Sequence, residues 1–174
     1  MAKLKKGMIL TGRVGKVDFP NKGMVKVPDP DGEPVEVCVK NALPGQEVSF
    51  VVNKSRGGKY EGRLLEVTGK AECETGGCRL AGKCGGCLYQ GYPYEETLAI
   101  KEEQIKSMLG AYTGEAQYDG IFASPDHAGY RNKMEYTFGD EEKGGELKLG
   151  LHRRGSFYDI VNAGDCLIAD GDFG

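Results

Sequence analysis

No apolar run in this 174-residue sequence approaches the roughly 18 residues of a membrane-spanning helix. The basic opening "MAKLKKGMIL" is not followed by the hydrophobic region of a signal peptide. Internal repeats and low-complexity tracts are also missing. These absences exclude a membrane partner and a secreted disulfide scaffold, and the expected location is cytoplasmic. In a reducing cytosol the six cysteines read as metal ligands or redox thiols before they read as disulfides. A hydrophobic content of 39% suffices for one modest domain or two small ones.

The net charge of −3 conceals an uneven distribution. Residues 1–70 carry 13 Lys and Arg against 8 Asp and Glu, whereas residues 71–174 carry 10 against 18. The sign of the charge changes near the cysteines. A weakly basic first part is compatible with a polyanionic partner, although such a balance is common on proteins that bind nothing charged.

From Met8 to Val67 the chain alternates in short segments: "GMILTGRV", "GMVKV", "VEVCV", "EVSFVVN" and "EGRLLEV". Turn-rich stretches ("DFPNKG", "PDPDGEP", "NALPGQ", "KSRGGK") separate them. About five short strands in some sixty residues predict a small barrel of the oligonucleotide-binding kind. Residues 69–92 are rich in Gly and Cys and have no periodicity, so a site rather than a packed core must order them. "PYEETLAIKEEQIKSMLG" predicts a helix that starts near Pro93, has Glu95 and Glu96 in its first turn and stops at Gly110. Leu98, Ile105, Met108 and Leu109 share a face expected to pack into the core. "YRNKMEYTFG" and "ELKLGLHRRG" alternate as an antiparallel hairpin with one buried face, and "SFYDIVNAGDC" offers a third strand. The expected class is mainly β with α+β: a five-stranded barrel over residues 1–69, then over 70–174 a cysteine-rich segment, one helix and an antiparallel sheet.

Cys78, Cys84 and Cys87 are spaced C-x5-C-x2-C within "CRLAGKCGGCLYQ". Thiolates two residues apart can clasp one metal or two corners of a cluster, and the glycines between them allow a tight bend with amide N–H groups turned toward sulfur. A fourth ligand has two candidates. Cys73 would close a local set suited to structural zinc, and Cys166 would close a cluster held by three near residues and one distant one. Spacing alone does not choose between them. Cys38, in an expected strand, reads as a small hydrophobe.

The run "KCGGCLYQGYPYEETLAIKEEQIKSMLG" resembles the cysteine-rich segment of the RNA uracil-5-methyltransferase family, in its cluster-bearing ribosomal RNA branch. The likeness continues through "GYRNKMEYTFG" and "LGLHRRGSFYDIVNAGDC". The first part is similar to that family's TRAM domain, an OB-like RNA-binding barrel. The resemblance implies a 4Fe–4S cluster on Cys78, Cys84, Cys87 and Cys166, which organises the fold and is lost on aerobic handling. It also implies a ribosomal RNA partner rather than DNA, with no oligomeric state specified. The implied chemistry is methyl transfer from S-adenosylmethionine to C5 of a flipped-out uracil, through addition of an enzyme thiolate at C6. No glycine-rich cofactor turn and no cysteine matching the family's nucleophile motif is found here. The chain is therefore expected to be an N-terminal portion that lacks the methyltransferase domain, binds no S-adenosylmethionine and is inactive alone.

RNA-facing candidates are Arg131 and Lys133 around Asn132, then His152, Arg153 and Arg154 after the second hairpin strand. Phe19, Arg56, Lys59 and Tyr60 in or beside the barrel loops are further candidates. The bland reading of each is an ordinary solvated face. Two other functional readings compete with the resemblance. One is a stand-alone RNA-binding module with a structural zinc or iron–sulfur site. The other is a methylthiotransferase, disfavoured because that family places its barrel at the C-terminus and spaces its cluster cysteines C-x3-C-x2-C.

Overall fold

The computed structural model describes residues 4–110, 114 and 116–173. Five strands open the chain: β1 (Ile9–Asp18), β2 (Lys22–Pro28), β3 (Pro34–Lys40), β4 (Glu47–Arg56) and β5 (Lys59–Gly69). They form a closed barrel in the order β1-β2-β3-β5-β4. All neighbours are antiparallel except β3 and β5, which run parallel with Val37 opposite Tyr60.

The expected alternation is realised as a buried interior of Val14, Val25, Val37, Val39, Val48, Phe50 and Val52. Residues of opposite parity face outward, because successive side chains of a strand point to opposite faces. Gly62 on β5 is required by the largest of these groups: a Cβ there would stand 2.6 Å from the Phe50 ring. The β4–β5 hairpin closes through Gly57 and Gly58, both at positive φ, as a two-residue turn matching strand twist demands.

The helix α1 (Tyr94–Leu109) begins and ends where its signals place it. The Thr97 hydroxyl and amide both donate to the Pro93 carbonyl, and the Gly110 amide donates to the Lys106 carbonyl at the other end. The expected apolar stripe is not its buried face. Ile105, Met108 and Leu109 are all exposed, whereas Thr97 and Gln104 are buried. Gln104 Nε2 donates to the Val17 carbonyl at 3.1 Å. The helix therefore meets the barrel through a polar side chain that donates to a strand carbonyl.

After α1 come β6 (Thr137–Gly139), β7 (Lys148–His152) and β8 (Ile160–Asn162), a three-stranded antiparallel sheet in that order. "YRNKMEY" is not a strand. Its backbone makes only a bridge between Arg131 and Ala169 before β6 starts at Thr137. The hairpin's expected buried face is covered at one end only. Leu80, Val161 and Ala163 form a small core packed by Tyr136 and Leu151, while Phe138 and Leu147 are more than two-thirds exposed. Gly150 allows β7 to lie close to β8, since a Cβ there would run into the Val161 carbonyl.

The chain divides into two compact units, Met1–Glu74 with Ala99–Asp119 and Thr75–Leu98 with Gly120–Gly174. The division interleaves along the sequence instead of falling at one boundary near residue 70. No described helix is long and apolar enough to cross a membrane.

Truncating Phe50 removes the largest fully buried side chain and leaves a cavity that the closed barrel cannot collapse. Phe50→Ala should cost about 3–5 kcal/mol of unfolding free energy, measured by urea denaturation followed by circular dichroism. A loss below about 1 kcal/mol would show that the barrel interior does not carry this unit's stability.

Candidate functional site

The sequence from Cys78 to Cys87 has no regular structure and is held by short-range bonds. Ala81 N donates to the Cys78 carbonyl at 2.9 Å, and both Lys83 N and Cys84 N donate to the Leu80 carbonyl. Gly82 supplies the positive φ that this tight path requires. The loop is then laid against β7: Cys84 bridges Arg153, and Gly85 N donates to the His152 carbonyl. Arg154 locks the CGGC turn, donating from Nη2 to the carbonyls of Cys84 at 3.3 Å and Cys87 at 2.6 Å.

Cys166 arrives from the segment after β8. Arg79, next to Cys78, closes on Asp165, next to Cys166, with Nε–Oδ2 at 2.6 Å and Nη2–Oδ1 at 2.8 Å. The same guanidinium donates to the Asn162 carbonyl. A bidentate pair fixes direction as well as distance, so it ties the loop to the segment carrying the distant cysteine. Hydrogen bonding to Arg79 holds the Asp165 carboxyl below, and the guanidinium above, their usual ranges.

Cys78, Cys84, Cys87 and Cys166 line one cavity of about 520 Å³, and Cys73 is not among its lining residues. All four are half-buried free thiols. Leu80 N donates to Cys78 Sγ at 3.4 Å and Gly86 N to Cys84 Sγ at 3.3 Å. Burial pushes the Cys87 thiol up, the neighbouring Cys166, Cys84 and Cys78 push it further, and Arg131 opposes them. Four sulfurs that feel one another and share one wall are a soft-metal donor set. Among the described residues, however, no three His, Cys, Asp or Glu side chains converge tightly enough to hold a single metal ion.

The basic candidates separate by what they touch. Arg131 is exposed and lines the cavity, as does Lys133, which pairs with Glu135 at 2.7 Å. His152 is a third lining residue. Arg153 is committed to Glu141 at 3.0 Å and Asp159 at 3.8 Å, and Arg154 to the CGGC carbonyls. In the barrel, Arg56 and Lys59 are exposed opposite each other at the β4–β5 hairpin, and Phe19 is exposed after β1. Tyr60 corrects its expectation. It is only 7% exposed, because strand alternation turns its ring into the barrel, where it cannot stack on a base. Arg79, Asp165 and Gln90, which also lines the cavity, were not singled out from the sequence. Adjacency to cysteine in "CR" and "DC" was the available signal.

No protein-family model matches the chain. It is similar to an uncharacterized RNA methyltransferase of Caldanaerobacter subterraneus subsp. tengcongensis, 39% identical over 172 residues, covering 98% of this chain and 37% of that protein. An uncharacterized RNA methyltransferase of Clostridium acetobutylicum is 43% identical over 162 residues, covering 90% and 34%. One of Staphylococcus aureus is 27% identical over 173 residues, covering 98% and 37%. The chain thus spans little more than a third of the length of these relatives.

If Arg79 and Asp165 hold the loop to the Cys166 segment, Arg79→Gln should raise the alkylation rates of Cys78 and Cys166 together in metal-free protein. The pair is half exposed, so the rise should be a few-fold rather than a loss of fold. Peptide mass spectrometry reads each site, and unchanged rates at both would remove the pair's positioning role. The sign of the pH dependence follows from the lowered Asp165 pKa. The constraint is present above the ordinary carboxylate range and is lost as pH falls through the lower folded value.

Proposed function

We propose that this chain is the RNA-binding, 4Fe–4S-binding N-terminal region of an S-adenosylmethionine-dependent RNA uracil-C5-methyltransferase that acts on ribosomal RNA in the cytoplasm. The observation that carries the reading is the shared cavity: three cysteines from one loop and a fourth from far along the chain meet there, in a protein whose relatives are named RNA methyltransferases.

The donor set fits the group. Zinc at about 2.3 Å from each thiolate would draw four sulfurs around one point. A cubane takes its cysteines at separate corners, which suits a roomy cavity in which Cys78 and Cys84 each accept a backbone amide. Cys78, Cys84, Cys87 and Cys166 would hold the group. When bound, it would supply four metal–sulfur bonds that staple the loop to the segment after β8. The chain's own residues do the orienting: Arg154 fixes the CGGC carbonyls, and Arg79 with Asp165 sets the approach of Cys166.

Phosphate contact belongs to exposed cations at the open end of the barrel hairpin, Arg56 and Lys59, and to Arg131 and Lys133 at the cavity. Methyl transfer belongs to the remainder of the parent protein. Of the two cysteines outside the cavity, Cys38 has its thiol pushed up by burial and then by Glu61, the opposite of what a nucleophile needs. Cys73 matches no catalytic motif.

Anaerobically prepared chain should contain about four iron and about four sulfide per molecule. Cys166→Ser should abolish both, and Cys73→Ser should leave them unchanged. Zinc without sulfide, or loss caused by Cys73→Ser instead, would overturn the assignment. In the full-length parent, methylation of ribosomal RNA should appear at C5 of uracil by mass spectrometry of digested RNA, with none from this chain alone. A methyl group on another base would refute the activity while leaving the metal centre standing.

A further inference from the structure

We propose that Arg131 is the charge-compensating residue of the cysteine centre and raises the reduction potential of the cluster held there. The inference rests on the cluster reading given above.

Its backbone is pinned to the Cys166 segment on both sides: Arg131 N donates to the Ile168 carbonyl at 2.9 Å, and Asp170 N donates to the Arg131 carbonyl at 3.0 Å. The side chain lines the same cavity as the four cysteines. Among the described residues no carboxylate forms an ion pair with it. Four other cations near the cysteines are engaged. Lys133 is bound to Glu135, Arg79 to Asp165 and Arg153 to Glu141 and Asp159, while Arg154 spends Nη2 on carbonyl oxygens.

Four thiolates bring more negative charge to the cavity than an iron–sulfur core brings positive charge, and a one-electron reduction adds to the excess. An unneutralised guanidinium at the wall stabilises the reduced state more than the oxidised one, because it faces one more unit of negative charge. Net charge and bonds to sulfur are among the recognised levers on such potentials, and a half-buried site screens them less than water would. Outer-shell groups of this kind tune a metal without touching it.

The test uses the full chain reconstituted anaerobically with iron and sulfide, as wild type, Arg131→Gln and Arg131→Lys. Iron and sulfide content is measured alongside a redox titration followed by electron paramagnetic resonance. Arg131→Gln should keep the stoichiometry and show a more negative midpoint, and Arg131→Lys should recover most of the wild-type value. Loss of the cluster in Arg131→Gln with its retention in Arg131→Lys would also support the proposal, since charge alone distinguishes the two. A wild-type midpoint in a fully loaded Arg131→Gln protein would overturn it, as would equal loss of the cluster from both variants, which would assign Arg131 a role of shape. Wild-type chain that takes up no sulfide would instead overturn the cluster reading, and this inference with it.

Discussion

The meeting of the Cys78–Cys87 loop with the segment that carries Cys166 is the constraint on which the second unit depends. Ordering a glycine-rich stretch costs about 1–2 kcal/mol of backbone entropy per residue, and this stretch buries little to offset that. Leu80 enters the small core with Val161 and Ala163, and Cys78 and Cys84 pack against it half-buried. The remainder is supplied by directed polar contacts: local turns around Leu80, the Arg154 bonds to two cysteine carbonyls and the Arg79–Asp165 pair. Each alone is modest. All of them converge on the four sulfurs, so a metal centre there would reinforce the same few positions, and its loss would release them together.

The barrel was legible because its interior obeys one period. Val37 and Val39 alternate with Glu36 and Cys38, and the burial follows that order. Closure was not legible, since nothing local specifies that β3 should run parallel to β5 across an intervening strand. Gly62 is intelligible only once Phe50 is seen opposite it. Helix ends were readable from Pro93 and Gly110, yet the buried face was not. Counting apolar residues favoured Ile105, Met108 and Leu109, whereas the buried contact is made by Gln104, which donates to the Val17 carbonyl. The same limit applied to the sheet, where Phe138 and Leu147 alternate as core residues should and remain exposed. Periodicity states which residues share a face, and a second layer decides whether that face is buried.

Cysteine spacing placed three thiols in one loop and left the fourth undecided between Cys73 and Cys166. Chain topology brings Cys166, and not Cys73, into the cavity with the other three: β8 returns beside β7, against which the loop is laid, and the segment following β8 reaches the cavity. No distance along the sequence encodes that return. The basic residues were harder to read for a related reason. Arg153 and Arg154 look alike in "HRRG", but one faces Glu141 and Asp159 and the other faces the CGGC carbonyls.

These commitments bear on where a polyanion could be held. The second part of the sequence has an excess of carboxylates, and several of its cations near the cysteines are spent internally: Arg79 on Asp165, Arg153 on Glu141, Arg154 on backbone carbonyls and Lys133 on Glu135. A phosphate chain approaching that unit would meet neutralised pairs and a cavity lined by thiols. The first part carries 13 basic against 8 acidic residues over residues 1–70, with Arg56 and Lys59 exposed together at a hairpin. Backbone affinity for RNA depends on cations free to displace counterions. On the proposed reading, the charge balance therefore gives the barrel the larger share of phosphate contact and leaves a smaller one to Arg131 and Lys133 at the cavity.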